Sequence, residues 1–182
     1  MTGYRRPELL TQDHEVEEFD CGSAAQTDWL RKHALQAQRS DTSRVYVSCL
    51  AKTRQVVGYY AIAAGSVSRE DAPPRLLRGT GRYPIPVVVL TRLGVDLRQQ
   101  GRGLGQSLVR DALLQVADVA ERVAVRALLV HAESDQAAAF YHHISPAFEA
   151  SPTDPLHLVL LLKDLRLAIR EAVTDKPPVS RG

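Results

Sequence analysis

The chain has 182 residues, 45% of them apolar and 24% charged, with a net charge of +2; this supplies one packed core and excludes wholesale disorder. Its longest apolar runs, Val87–Leu90 and Leu158–Leu162, fall far short of the roughly 20 residues that span a bilayer. No apolar stretch follows Arg5-Arg6, and Cys21 and Cys49 stand outside any metal-ligand or disulfide-framework spacing. The expected setting is the reducing cytoplasm, with no signal peptide, membrane span or metal.

Ser23 followed by Gln26 has the form of a capping box, and Trp29, Leu30, Ala34 and Ala37 follow at helical spacing, which predicts a first helix over Ala24–Arg39. Arg44–Leu50 and Val56–Ala63 are rich in Val, Tyr and Ile around the polar Lys52-Thr53-Arg54-Gln55, the pattern of a β-hairpin. Gly65 to Tyr83 has no period and contains Pro73-Pro74, so a long loop is expected. Val87–Val95 reads as a buried central strand. The strongest helical pattern starts at Leu104 and carries Leu108, Val109, Ala112, Leu113 and Val116 on one face. Ala127–Ala132 is a short strand, Ser134 caps a helix through Phe140 and Tyr141, and Leu156–Lys163 is a last strand. These elements predict a single α/β domain over 1–173, with 174–182 a disordered tail.

Between the Val87–Val95 strand and the strong helix stands Gln100-Gly101-Arg102-Gly103-Leu104-Gly105. A strand, a glycine turn and a helix amino terminus together aim backbone N–H groups and a partial positive charge at one point, a cradle for phosphate. A dinucleotide fingerprint needs its third glycine one residue later, and a P-loop needs a lysine where Gln106 stands. Coenzyme A, whose pyrophosphate needs the same cradle, matches the pattern Gln/Arg-x-x-Gly-x-Gly/Ala through Gln100, Gly103 and Gly105.

That motif resembles the pyrophosphate loop of GNAT N-acetyltransferases, and the order of elements from 45 to 163 resembles their core. Phe19-Asp20-Cys21-Gly22 before a Trp-Leu helix, Gly58-Tyr59-Tyr60-Ala61, Tyr83-Pro84-Ile85-Pro86 and Ser151-Pro152-Thr153-Asp154-Pro155 extend the likeness from about residue 14 to Leu165, and narrow it to GNAT toxins of the TacT, AtaT and ItaT kind from type II toxin–antitoxin modules. One departure stands out. Where such chains commonly read Phe-Tyr-x-x-x-Gly-Phe, this one reads Phe140-Tyr141-His142-His143-Ile144-Ser145-Pro146-Ala147-Phe148.

The resemblance implies the GNAT acyl-CoA N-acyltransferase fold, a mixed central sheet with splayed parallel strands and flanking helices. It implies acetyl-CoA as co-substrate, the pantetheine arm lying along Leu93, Gly94 and Val95 and the pyrophosphate on Gln100, Gly101, Arg102, Gly103, Leu104, Gly105 and Gln106, with Arg98 also in reach of phosphate. It places Tyr141 as general acid to the leaving thiolate, since a phenol with a pKa near 10 can protonate a thiol whose pKa is near 8.5. No general base stands out among His131, Glu133 and His142. An α-amine, titrating near 7.7–8.0, needs little help to be neutral, whereas a lysine near 10.4 needs more.

Charge is unevenly distributed. Between 75 and 110 seven arginines face the single Asp96. Arg75, Arg78, Arg82 and Arg92, with Arg31, Lys32, Arg39 and Arg44, form either a solvated basic face or a track for a tRNA acceptor stem. The implied function is a toxin that acetylates the α-amino group of aminoacyl-tRNA and blocks translation. A homodimer and a ribbon-helix-helix antitoxin are its implied partners. A GNAT enzyme acting on a protein amine or a small-molecule amine, and a non-catalytic binding module, are the alternatives.

Overall fold

Val45, Val47 and Cys49 alternate with Tyr46 and Ser48 through Arg44–Cys49 (β2), which pairs antiparallel with Val56–Val67 (β3), Tyr46 opposite Tyr60. The two rings stack at 4.9 Å, and the Tyr60 hydroxyl reaches the Asp111 carboxylate. In this computed structural model residues 3–174 are described; the expected tail beyond Thr174 lies outside them. A short strand, Glu8–Leu9 (β1), borders β2. Ile85–Val95 (β4), Ala127–His131 (β5), Glu149–Ala150 (β6) and His157–Leu161 (β7) complete a mixed seven-stranded sheet in the order β1-β2-β3-β4-β5-β7-β6.

Chain contacts divide into two compact units, Met1–Ala64 with Val89–Ala112 and Gly65–Val88 with Leu113–Gly182; β3 and β4 contribute to both. In the first, Phe19, Leu30, Ala34, Val45, Val47 and Tyr59 form one buried cluster. Phe19 meets the Tyr59 ring edge-on and Trp29 stacks on it. In the second, Leu128, Leu158, Leu160 and Leu165 are fully buried, and β5 and β7 pair antiparallel from Ala127 opposite Leu161 to His131 opposite His157.

The first helix is two. Ser23 caps Ala24–Lys32 (α1) by accepting the Gln26 N–H at 3.3 Å, as expected, but the chain breaks at His33 (φ −124°) before Ala34–Arg39 (α2). Gln26 is buried and accepts the Tyr59 hydroxyl on both its main-chain and side-chain oxygens. The Gly65–Tyr83 segment is more ordered than a loop: β3 continues to Val67, and Pro74–Leu77 (α3) starts on a proline whose missing N–H would have gone unpaired there. The last strand stops at Leu161, and Leu162–Thr174 (α6) turns helical at once.

Leu104–Ala120 (α4) docks through Leu104 and Leu108. A Cβ added to Gly58 would stand 2.9 Å from a Leu108 methyl and 3.1 Å from a Leu104 methyl, so β3 needs glycine where α4 crosses it. Just past β4, Asp96 is buried; its carboxylate accepts the Arg98 and Asp20 main-chain N–H groups and the Arg98 guanidinium at 2.9 and 3.0 Å. Burial alone would raise the Asp96 pKa, but these donors outweigh it and hold the carboxyl below its usual range.

Two stability effects follow. Gly58→Ala overpacks the α4 contact and is expected to cost about 1–2 kcal/mol in chemical denaturation. Asp96→Asn is expected to cost about 1–2 kcal/mol at pH 7. Because the folded pKa of Asp96 is depressed, its contribution is complete above the unfolded value near 3.9 and is lost as pH falls through the folded value. Denaturation curves of wild type and Asp96→Asn should therefore converge below about pH 4, and a gap unchanged by acid would remove the carboxylate from the account.

Candidate acyl-donor loop and acid

The glycine loop is built from the β4 exit outward. The Asp96 N–H bonds the Val57 carbonyl at 2.9 Å, fixing the strand end, and Leu97–Gln99 makes one 3-10 turn capped by the Asp96 carboxylate. The Gln100 amide donates to the Val95 and Cys21 carbonyls at 2.9 and 3.1 Å. Gln100 thus ties the loop down through its side chain. Gly101 (φ +73°) and Gly103 (φ +83°) then take left-handed conformations that disfavour any side chain, and a Cβ at either would meet nothing within 4 Å. Their requirement is the curl of the backbone, and the space above it is open.

Gly103 accepts the Ser107 N–H to begin α4, whereas among the described residues the N–H groups of Gly101 through Gln106 have no internal acceptor. Six amides without an internal acceptor at the head of a 17-residue helix form an anion cradle that needs no side chain. Arg102, exposed beside it, has no ion-pair partner among the described residues. Arg98 is different: its guanidinium forks onto Asp96 and lies 3.7 Å from Glu18. The expectation that Arg98 reaches phosphate is corrected to a role holding the loop.

Behind the cradle, Leu93 and Val95 are half-buried and Gly94 is fully buried. A Cβ on Gly94 would lie 2.9 Å from the Tyr59 ring, 3.3 Å from Phe19 and 3.4 Å from the Cys21 sulfur, so this glycine lets the strand lie flat on the aromatic cluster.

Tyr141 belongs to the other unit, on Asp135–Ile144 (α5), whose cap Ser134 accepts the Ala137 N–H at 3.1 Å. Phe140 and Phe148 meet its ring at 5.3 and 5.8 Å. The side chain is buried, yet among the described residues its hydroxyl has no hydrogen-bond partner, and no fully enclosed polar atom is left unpaired; the oxygen therefore keeps access to the surface. Burial first, and the Glu133 charge second, push the phenol well above its usual pKa, so it stays protonated.

The Ser145-Pro146 departure has a local explanation. Ser145 is extended (φ −147°), closes the helix by donating its N–H to Tyr141 O, and accepts the Ala147 N–H on its hydroxyl. That ends α5 without a left-handed glycine and still seats Phe148 against Tyr141. His142 and His143 are exposed in the last turn, where a positive charge suits the helix dipole. His131 stacks on His157 at 3.9 Å, and burial and that neighbour lower its pKa, which weakens it as a base.

The basic residues separate once their partners are known. Arg92 lies over the Trp29 ring at 5.3 Å. Lys32 pairs with Asp28, Arg44 with Asp41, and Arg39 reaches Gln12, all on the surface; Arg31 is exposed. In the other unit Arg82 covers the Tyr83 ring and Arg78 is exposed. Arg75 bonds both Glu149 and Asp164, which neutralise it, so its expected place in an RNA track is corrected to an internal tie.

The model of the acetyltransferase (GNAT) family matches residues 7–144. A tRNA-acetylating toxin of Mycobacterium tuberculosis is 46% identical over 169 residues, 93% of this chain and 99% of the relative. Among solved structures, AtaT complexed with acetyl-methionyl-tRNAfMet is 28% identical with a TM-score of 0.82, covering 91% of this chain and 98% of that one. A mutant AtaT bound to the C-terminus of the antitoxin AtaR and acetyl-CoA is 28% identical with a TM-score of 0.77, covering 92% and 99%. An open amide cradle between β4 and α4, in a chain matched over most of its length, leads to one conclusion: the chain belongs to the acetyltransferase (GNAT) family.

Proposed function

We propose that this protein transfers acetyl from acetyl-CoA to the α-amino group of aminoacyl-tRNA, and that it thereby acts as a toxin blocking translation. The likeness to a tRNA-acetylating toxin across nearly the whole of both chains carries the reading. The loop fits the donor: its unpaired amides and open space suit a pyrophosphate, which would be held by the N–H groups from Gly101 to Gln106 and by Arg102. Main-chain groups of Leu93, Gly94 and Val95 would take the pantetheine amides, and Gln100 keeps the loop in register. When bound, the donor supplies an acetyl thioester.

Tyr141 supplies the proton. As the amine nitrogen bonds to the acyl carbon and the carbon–sulfur bond breaks, the phenolic O–H protonates the leaving sulfur, and solvent restores the proton to the tyrosine. The amine sheds its own proton to water, which an α-amine near pKa 7.7–8.0 does without a strong base. Arg92, Arg78, Arg82, Arg31, Lys32, Arg39 and Arg44 are the candidates for contact with tRNA phosphates, Arg75 having been removed from that set. A homodimer, a ribbon-helix-helix antitoxin and a cytoplasmic location complete the proposal. No helix among the described residues is long and apolar enough to cross a membrane.

Radiolabelled acetyl-CoA incubated with total charged tRNA, deacylated tRNA and bulk protein is expected to label the charged tRNA alone. Label on protein or small amines only would replace the acceptor. Tyr141→Phe is expected to lower kcat by 10² or more with acetyl-CoA affinity nearly intact. In wild type the rate should climb as the amine deprotonates near pH 8 and then stay level to about pH 10, because the buried phenol titrates above its ordinary value. A rate falling between pH 9 and 10, or an unchanged Tyr141→Phe, would exclude Tyr141 as the acid.

A further inference from the structure

Arg78, Arg126, Lys163 and Arg166, with Arg75 and the apolar Leu162, line a cavity of about 380 Å³ in the Gly65–Val88/Leu113–Gly182 unit. Five cations therefore border a concave space, and among the described residues carboxylates pair with two of them and leave three uncancelled. Glu149 and Asp164 both bind Arg75, and Glu121 binds Arg166 at 2.8 Å. Arg78, Arg126 and Lys163 have no carboxylate partner among the described residues.

Arg126 is also held in place. Its guanidinium donates to the Arg78 and Leu76 carbonyls at 2.7 and 3.3 Å, at the carboxyl end of α3. Its main-chain N–H bonds the Pro86 carbonyl and its own carbonyl accepts the Leu162 N–H, each at 2.9 Å. Neutral carbonyls orient this guanidinium without discharging it, so its fork remains positive toward the cavity. The arrangement suits a tetrahedral oxyanion, because arginine offers paired donors in a plane and lysine a point charge. Leu161, Leu162 and Val125 give the cavity an apolar wall on which a sugar can rest.

We infer that this cavity is a phosphate-binding pocket for the RNA backbone, in which Arg78, Arg126 and Lys163 take a phosphodiester of the substrate. The inference rests on the reading of charged tRNA as substrate, and a polyphosphate substrate favours RNA over an acidic peptide as the occupant. Arg126 is fastened at Pro86, where β4 begins. The pocket adds affinity and orientation for the RNA and no step of the chemistry.

Lys163 and Arg78 are exposed and carry no ion pair among the described residues, so Lys163→Gln and Arg78→Gln should fold normally, which thermal denaturation and acetyl-CoA calorimetry will verify. Filter binding of total tRNA between about 50 and 200 mM salt is the test. Each variant should bind roughly tenfold more weakly and lose about one unit of the log-affinity against log-salt slope, as expected for one lost phosphate contact. Wild-type affinity and slope in both variants would overturn the pocket. So would loss of polyglutamate binding with RNA binding intact, or competition by micromolar AMP, which would assign the site to an acidic peptide or a free nucleotide. Should wild type transfer no acetyl to charged tRNA, the functional reading fails separately, and the salt titration still decides the pocket.

Discussion

A buried carboxylate organises the whole donor side. Asp96 sits at 1% exposure directly after β4 and gathers four donors, two from the main chain and two from one arginine. A lone buried carboxylate would be costly, and here the Arg98 fork with the Asp20 and Arg98 amides satisfies it. The effect is geometric. Asp20 and the β4 exit are drawn to one point, the 3-10 turn starts in a fixed direction, and Gln100 then clamps the Val95 and Cys21 carbonyls. These side chains hold the loop, and among the described residues the six amides after Gln100 stay without an acceptor. An anion site made of backbone requires that division: side chains hold the loop from beneath while the N–H groups face outward.

The same accounting sorts the arginines. A segment with seven of them looks uniformly anion-seeking in sequence, yet Arg98 and Arg75 are internal ties whose carboxylates cancel them. Two that keep their charge are held by ring faces, Arg92 by Trp29 and Arg82 by Tyr83, and outside the segment Arg126 is held by two carbonyls. Aromatic rings and carbonyls fix where a guanidinium points without discharging it. On the proposed reading, a guanidinium that keeps its charge is available to an RNA phosphate, and one forked onto carboxylates is structural.

Local signals were legible in the sequence and distant partners were not. Ser23 and Ser134 announced their helices because a cap is written within three residues. Gly101 and Gly103 announced the curl because positive φ leaves few other residues. The break at His33 was hidden by an apolar spacing that runs on through Ala34 and Ala37, and α6 was hidden because Leu158–Leu162 is one apolar run shared by a strand and the helix after it. Arg75 and Arg78 look alike three residues apart. They differ only because Glu149 and Asp164, 74 and 89 positions away, meet the first and not the second. Arg126 and Lys163 are not legible as partners of Arg78 for the same reason: both lie far along the chain from the arginine-rich 75–110 segment.

The titration directions give the chemistry a consistent polarity. Burial raises the Tyr141 phenol, and desolvation together with the neighbouring His157 lowers the His131 imidazole, so both shifts favour the neutral form. A phenol raised in this way gives up a proton only to a strong acceptor such as a departing thiolate, and a depressed imidazole takes one reluctantly. On the proposed mechanism, the described residues therefore offer a well-protonated acid and no comparably prepared base. Such a pairing works on an acceptor that is already neutral near pH 8, as an esterified α-amine is, and works poorly on a lysine side chain that must first lose a proton at a pKa near 10.4. On the proposed mechanism, the preference for an α-amine follows from a donor side with an acid and, among the described residues, no prepared base.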